Sequence, residues 1–258
     1  MKERAGIQSV EVGFGLLQAL GQAPGPLMLR DLARAADMSA AKAHRYLVSF
    51  QRLQLVVQDA ASTRYDLGPA ALKLGLAALS RLDAVRLGRQ RVALLMEEIG
   101  HTLALAVWGN RGPTIIHWEE SPQAVTVNLR LGDVMPLLSS ATGLCFAAHV
   151  PQEAIAGMLE EELARARKQG RTDLPTTPSD ARRLLAQVRE RGAARVVDWL
   201  LPGIAGFCVP VFDADGHMAL GMVAMGPAGS FDAEWGGAVD QPLRAAAAQL
   251  SSDLGHRG

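Results

Sequence analysis

Residues 29–67 constrain this chain more than any other stretch: two short helical patterns meet at a tight turn and run on into a hairpin pattern. Leu29, Leu32, Ala33 and Ala36 recur at i, i+3, i+4 and i+7, which lines one face of a helix. A turn at Asp37 and Met38 follows. Ser39 is then placed to cap the next helix by accepting a hydrogen bond from a first-turn amide. That helix, SAAKAHRYLVSFQRL, has an apolar stripe of Ala43, Leu47 and Phe50 and, on the opposite side, a stripe of Lys42, Arg45, Ser49 and Arg52. Residues 55–57 and 64–67 read as two short strands around a polar turn at 59–62. Helix, turn, helix, hairpin is the order of a winged helix-turn-helix.

Such a head meets DNA through the N-terminal half of its second helix and through its wing. Ser39, Ala40, Ala41, Lys42, His44, Arg45 and Ser49 are the helix candidates, and Thr63 and Arg64 the wing candidates. Long basic side chains reach phosphates and base edges, while Ala40 and Ala41 let the backbone come close or touch a thymine methyl. The plain alternatives stand beside these: the basic stripe is equally a solvated face, and His44 equally packs within its own domain. Charge gives modest support. Residues 1–64 carry eight Lys or Arg (Lys2, Arg4, Arg30, Arg34, Lys42, Arg45, Arg52, Arg64) against five acids (Glu3, Glu11, Asp31, Asp37, Asp59). No acid falls between Met38 and Gln58. The whole chain is neutral, with 26 basic and 26 acidic residues, so the bias is local.

A length of 258 residues favours two domains. The two cysteines, Cys145 and Cys208, are flanked by apolar residues without metal-ligand spacing, which fits a reducing cytoplasm. The N-terminus lacks a signal-peptide core, and no apolar run approaches the roughly 20 residues of a membrane span. The expectation is a cytoplasmic, soluble protein with no cofactor and no metal.

Before the helix-turn-helix, Ile7, Val10, Phe14 and Leu17 follow helical spacing. After it, PAALKLGLAALSR (69–81) is a helix apolar nearly all round, hence expected to be buried between chains or between domains. We divide the chain into a winged helix-turn-helix domain (1–67), a linker helix (68–84) and a second domain (85–258). In the second domain a helix at 87–99 precedes strands at 102–108, 114–119 and 124–129. Helices at 141–149, 153–167 and 179–191 are followed by strands at 194–198, 206–212 and 217–225 and a final helix at 233–254, which Pro242 kinks or truly begins. Helices flanking a mostly antiparallel sheet make an α+β domain.

The order and wording of these pieces resemble the IclR family of transcriptional regulators, from about Ile7 to Leu254. The resemblance is carried by IQSV at 7–10, LRDLARAADMSAAKAHRYL at 29–47, YDLGPAALKLG at 65–75, LGDVMPLLSSATG at 131–143, PGIAGFCVPVFDADG at 202–216 and AMGPAG at 224–229. It implies a linker helix joining the winged head to a GAF-like α/β-sandwich effector domain. It also implies a homodimer that associates to a tetramer, double-stranded operator DNA as partner, and a small organic effector. Carried over by position, the effector residues are Leu129, Met135, Leu138, Ala141, Gly143, Asp198, Leu200, Cys208, Val223 and Met225. Leu144 joins them because ATGL (141–144) opens a helix whose free amides suit a ligand carboxylate. Asp198, beside Val196, Val197 and Trp199, needs a partner: a ligand group, a backbone amide or an arginine.

This chain departs from the family pattern in two places. Ala40 and Ala41 stand where a polar or basic run is usual. In the second domain an acidic run is reduced to Asp198, and Val223 and Met225 replace serines. Fewer polar groups point to an apolar or aromatic acid as effector. The expectation is a repressor. Two other classes remain in play: a winged helix used only for protein–protein assembly, and an enzyme drawing on Cys145, Cys208, His101, His117 or His149, none of which lies in a catalytic motif.

Overall fold

The computed structural model describes residues 6–79, 83–121 and 129–257. The strand expected at 124–129 falls outside these apart from Leu129, which is in no strand. The chain divides into two compact units, Met1–Leu82 and Asp83–Gly258.

The first unit contains α1 (Gln8–Gln22), α2 (Leu29–Ala35), α3 (Ala40–Arg52), β1 (Val56–Gln58), β2 (Tyr65–Leu67) and α4 (Pro69–Leu79). Leu16, Leu20, Leu32, Ala33, Ala43, Leu47, Val56 and Tyr65 form its core. β1 and β2 pair antiparallel, and Leu27 bridges to Tyr65, so the segment before α2 is tied to the wing. The wing closes on Gly68 because it lies against the Gln54 carbonyl, where a Cβ would collide with backbone. Two apolar patterns are left partly uncovered in the single chain. In α1 the core takes Gly13, Leu16, Ala19 and Leu20, leaving Val10 and Phe14 exposed, as is Ile7 just before the helix. In α4, Leu72, Leu74 and Leu76 are 63%, 65% and 56% exposed in the single chain. Both helices are apolar on more sides than one small core has surface to cover.

The second unit runs α5 (Ala84–Ile99), β3 (Thr102–Gly109), β4 (Gly112–Glu119), α6 (Ala141–His149), α7 (Gln152–Lys168), α8 (Pro178–Arg191), β5 (Ala194–Val197), β6 (Ile204–Phe212), β7 (Met218–Pro227) and α9 (Asp240–Asp253). Its sheet has the order β4-β3-β7-β6-β5, with every pairing antiparallel. Alternation along the strands sends Leu103, Leu105, Phe207, Val209, Val211, Met222 and Ala224 to the face covered by α5 and α9. Ala104, Ala106, Cys208, Val223 and Met225 go to the face covered by α6 and α8. The result is an α+β sandwich. α9 begins at Asp240, seven residues later than its apolar pattern, and Pro242 sits in its first turn, where a missing N–H costs nothing. The residues before it are held in turns by Asp232, whose carboxylate accepts from the amides of Glu234 and Ala238. No described helix is long and apolar enough to cross a membrane.

Candidate functional site

In the head, Ser39 caps α3 as expected, its Oγ accepting from the Lys42 amide at 3.4 Å. Burying Ala43 and Leu47 rotates the other side of α3 outward. Ser39, Ala40, Ala41, His44, Arg45, Ser49 and Arg52 are exposed, and Lys42 is half-buried. Exposure answers the question left open for His44: it does not pack inside the domain. Arg30 and Arg34 share Asp31. Lys42, Arg45 and Arg52 have no ion pair among the described residues. Their charge is therefore uncompensated within the head.

The wing is built by short polar contacts. Asp59 Oδ1 accepts from both the amide and the hydroxyl of Ser62 at 2.7 Å, and these bonds hold its carboxyl below the usual carboxylate range. Gln58 Nε2 donates to the Thr63 carbonyl at 3.0 Å. Thr63 sits at φ +57°, a left-handed conformation that a β-branched residue adopts only when its surroundings impose it. Arg64 Nη1 donates to the Pro26 carbonyl at 3.1 Å, so one of its donors braces the wing against the segment before α2.

In the second unit, residues 129–140 lie beside β4 and deliver several of the predicted effector positions. Met135 N donates to Pro113 O at 2.7 Å and Ile115 N to Asp133 O at 3.1 Å. Glu162 of α7 holds the far end: its two carboxylate oxygens accept from the amides of Leu137 and Leu138 at 2.7 and 2.9 Å. Burial pushes the Glu162 carboxyl up, against the opposing pull of those amides. Ser140 caps α6, accepting from Gly143 N at 2.8 Å while donating to Pro136 O at 2.7 Å. The amides of Ala141 and Thr142 remain first-turn donors without an intrahelical acceptor.

Leu129, Met135, Ala141, Leu200, Val223 and Met225 come together around one recess, joined by Ser140, Thr142, Val196, Leu201, Ile204, Ala205 and Gly206. Of these thirteen, only Ser140 and Thr142 have polar side chains. The recess is tight, with ≈ 40 Å³ open to water, far below the ~300–1,000 Å³ of ordinary ligand pockets. Any ring-sized occupant must push its walls apart.

Five expected effector positions do not line it. Leu138 packs with Leu163 and Ala181 on the other side of its loop. Gly143 presses on the Pro136 carbonyl, where a Cβ would collide, and so shapes the loop from behind. Leu144 and Cys208 are fully buried in the core under α6. Asp198 is exposed at φ +63°, and its carboxylate accepts from Gly203 N at 2.6 Å, so a backbone amide is the partner it needed. The missed wall residues were readable in part from strand period. Val196 pairs with Gly206, and Gly206 with Met225, which puts all three on one row across the sheet.

The thiols and imidazoles do not assemble a nucleophile and base. Cys145 and Cys208 are buried side by side, and burial pushes the Cys145 thiol up. His149 Nδ1 contacts the Cys145 carbonyl at 2.8 Å instead of its sulfur. His117 faces Glu119 at 2.8 Å, and His101 packs on the Phe231 ring. Asp213, Asp215 and His217 lie close enough to share a cation, but Asp213 Oδ1 already accepts from the amides of the other two, as an exposed hairpin turn requires.

Comparison with known proteins bears on both units. Residues 9–60 match the family model for the IclR helix-turn-helix domain, and residues 76–252 the model for the C-terminal domain of the bacterial transcriptional regulator IclR. A crystal structure of Pseudomonas aeruginosa HmgR superposes with a TM-score of 0.89 at 38% identity, covering 98% of this chain and 100% of that one. The glycerol operon regulatory protein of Streptomyces griseus is 32% identical over 256 residues, 96% of this chain and 97% of that protein. The HTH-type transcriptional regulator KdgR of Escherichia coli K12 is 27% identical over 257 residues, 99% of this chain and 95% of that protein. With the family models covering most of its length and a winged head and an α+β second unit to match, the chain belongs to the IclR family of ligand-responsive, DNA-binding transcriptional regulators.

Proposed function

We propose that α3 reads operator DNA in the major groove through Arg45, Lys42, His44 and Ser49, with Ser39, Ala40 and Ala41 at its entry and Thr63 and Arg64 of the wing against the backbone. The observation that carries this is the cationic face of α3: basic side chains with no ion pair among the described residues, on a helix whose N-terminal residues are small. A bidentate arginine on guanine is worth about 1–3 kcal/mol of discrimination. The exposed apolar faces of α1 and α4 support a dimer through this half of the chain, and we extend this to a dimer of dimers. Two recognition helices then meet half-sites about 34 Å apart, or a multiple of that.

The effector is an apolar or aromatic small acid, bound in the recess of Met135, Ala141, Leu200, Val223 and Met225, with its carboxylate on the free amides of α6. Binding must favour one arrangement of the heads over another, because equal affinity for both shifts nothing. We take the effector-free protein to be the repressing form, acting in the cytoplasm.

A mobility-shift titration against the DNA flanking the gene tests this, repeated over a range of salt and with aromatic acids. Glycerol is included as a polar comparator. Saturable binding that weakens with salt and is altered by an aromatic acid is the expected result. Absence of specific binding under every condition would favour an assembly module. A response to glycerol alone would overturn the effector class.

A further inference from the structure

A second cavity, of ≈ 580 Å³, opens at the other end of β6 from the effector recess. β5 pairs with β6 only as far as Cys208, so Val209–Phe212 run on without a neighbouring strand on that side. Pro210 withholds one backbone donor there, Ser251 Oγ accepts from Phe212 N at 3.0 Å, and His256 Nδ1 meets Asp213 O at 3.2 Å. The floor is apolar: Val209, Pro210, Phe212 and Ala248. His149, Phe212 and His256 form a continuous ring ladder, with centroids 5.5 and 5.1 Å apart. Around this floor stand Arg189 and Arg244, and no described lining residue is a carboxylate.

The two arginines differ. Arg244 is matched, its Nε on the buried Asp240 at 2.7 Å and its Nη1 on the Arg191 carbonyl at 2.6 Å. Arg189 is not matched: its Nε donates to the Ala148 carbonyl, and it has no ion pair among the described residues. Burial holds the His149 imidazole below its ordinary value; its contact with the Cys145 carbonyl pulls the other way, and the charge of Arg189 adds a smaller push down. A cavity with an apolar floor, stacked rings and an unneutralised guanidinium is complementary to an oxyanion on an apolar body.

We propose that this cavity is a second small-molecule site, separate from the effector recess, which takes a small organic oxyanion on the Arg189 guanidinium with its apolar part against Phe212 and Pro210. Histidine-ring NMR on the full chain tests it, with benzoate and inorganic phosphate as probes and acetate as a bodiless comparator. An anion facing His149, Arg189 and His256 raises the His149 pKa by about one unit. The expected result is a saturable rise in the His149 value at millimolar probe, accompanied by a His256 shift. It persists in Leu200→Trp, which fills the recess, weakens about tenfold or more in Arg189→Met, and is restored in part by Arg189→Lys. Benzoate ahead of acetate assigns an apolar carboxylate, and phosphate ahead of both assigns a phosphate ester. The proposal is overturned if neither probe saturates, if Leu200→Trp abolishes the shifts, or if Arg189→Met binds as the parent does while retaining its fold by circular dichroism.

Discussion

The head keeps its core and its proposed contact surface on opposite sides of one helix: Ala43 and Leu47 face in, Arg45 and Ser49 face out. In the second unit the same side chains serve as core and as recess wall, since Met135, Ala141, Val223 and Met225 are buried whether or not anything sits beside them. A change on the outer face of α3 should therefore alter binding with little effect on folding. A change in the recess should affect both. The two units also have separate cores, so damage to one is expected to leave the other's melting transition in place.

The largest expected break comes from Gly143→Val. A Cβ there meets the Pro136 carbonyl, which is backbone and cannot yield, so the second unit should lose about 3 kcal/mol or more. Calorimetry should show its transition lowered while the head's holds; a joint fall of both would refute separate cores. Leu47→Ala is the converse, deleting a fully buried side chain from the head at a cost of about 2–5 kcal/mol. It should abolish operator binding and leave effector binding, followed by titration calorimetry, unchanged.

Smaller effects sharpen the contrast. Arg45→Ala should weaken operator binding by about 1–3 kcal/mol and relax base preference at one position, with the melting curve unmoved. Unaltered base preference would remove Arg45 from the reading surface. Leu200→Trp should eliminate the effector response while leaving effector-free DNA binding within a factor of about two.

The smallest effect is a pH slope. Glu162 takes its proton at a higher pH when folded than its ordinary 4.5, so between those values stability rises as pH falls. Glu162→Gln should flatten that part of the second unit's stability curve.

What could be read from the sequence follows the same division. The helix-turn-helix was legible because spacing and polarity agree there: Ser39 caps, Leu47 buries, Arg45 points away, and each has one physical solution. Most strands of the second unit were legible from alternation. The wall of the recess was less so. Cys208 and Val223 are paired neighbours in the sheet and chemically alike as buried residues, yet only Val223 lines the recess. Asp198 looked like a ligand contact because a carboxylate among apolar neighbours demands a partner, and only the fold reveals that Gly203 supplies it. The exposed leucines of α4 mark the same limit: hydrophobicity says that a face must be covered, but does not name what covers it.

The tightness of the recess sets a time scale as well as a shape. With ≈ 40 Å³ open to water, the walls formed by Leu200, Leu201 and Met135 have to part before a ring can enter. If parting comes first, the observed association rate climbs with ligand concentration and then levels off at the opening rate. If the proposed effector enters here, a surge of metabolite beyond that plateau brings no faster reply, and the delay is set by the packing of three side chains.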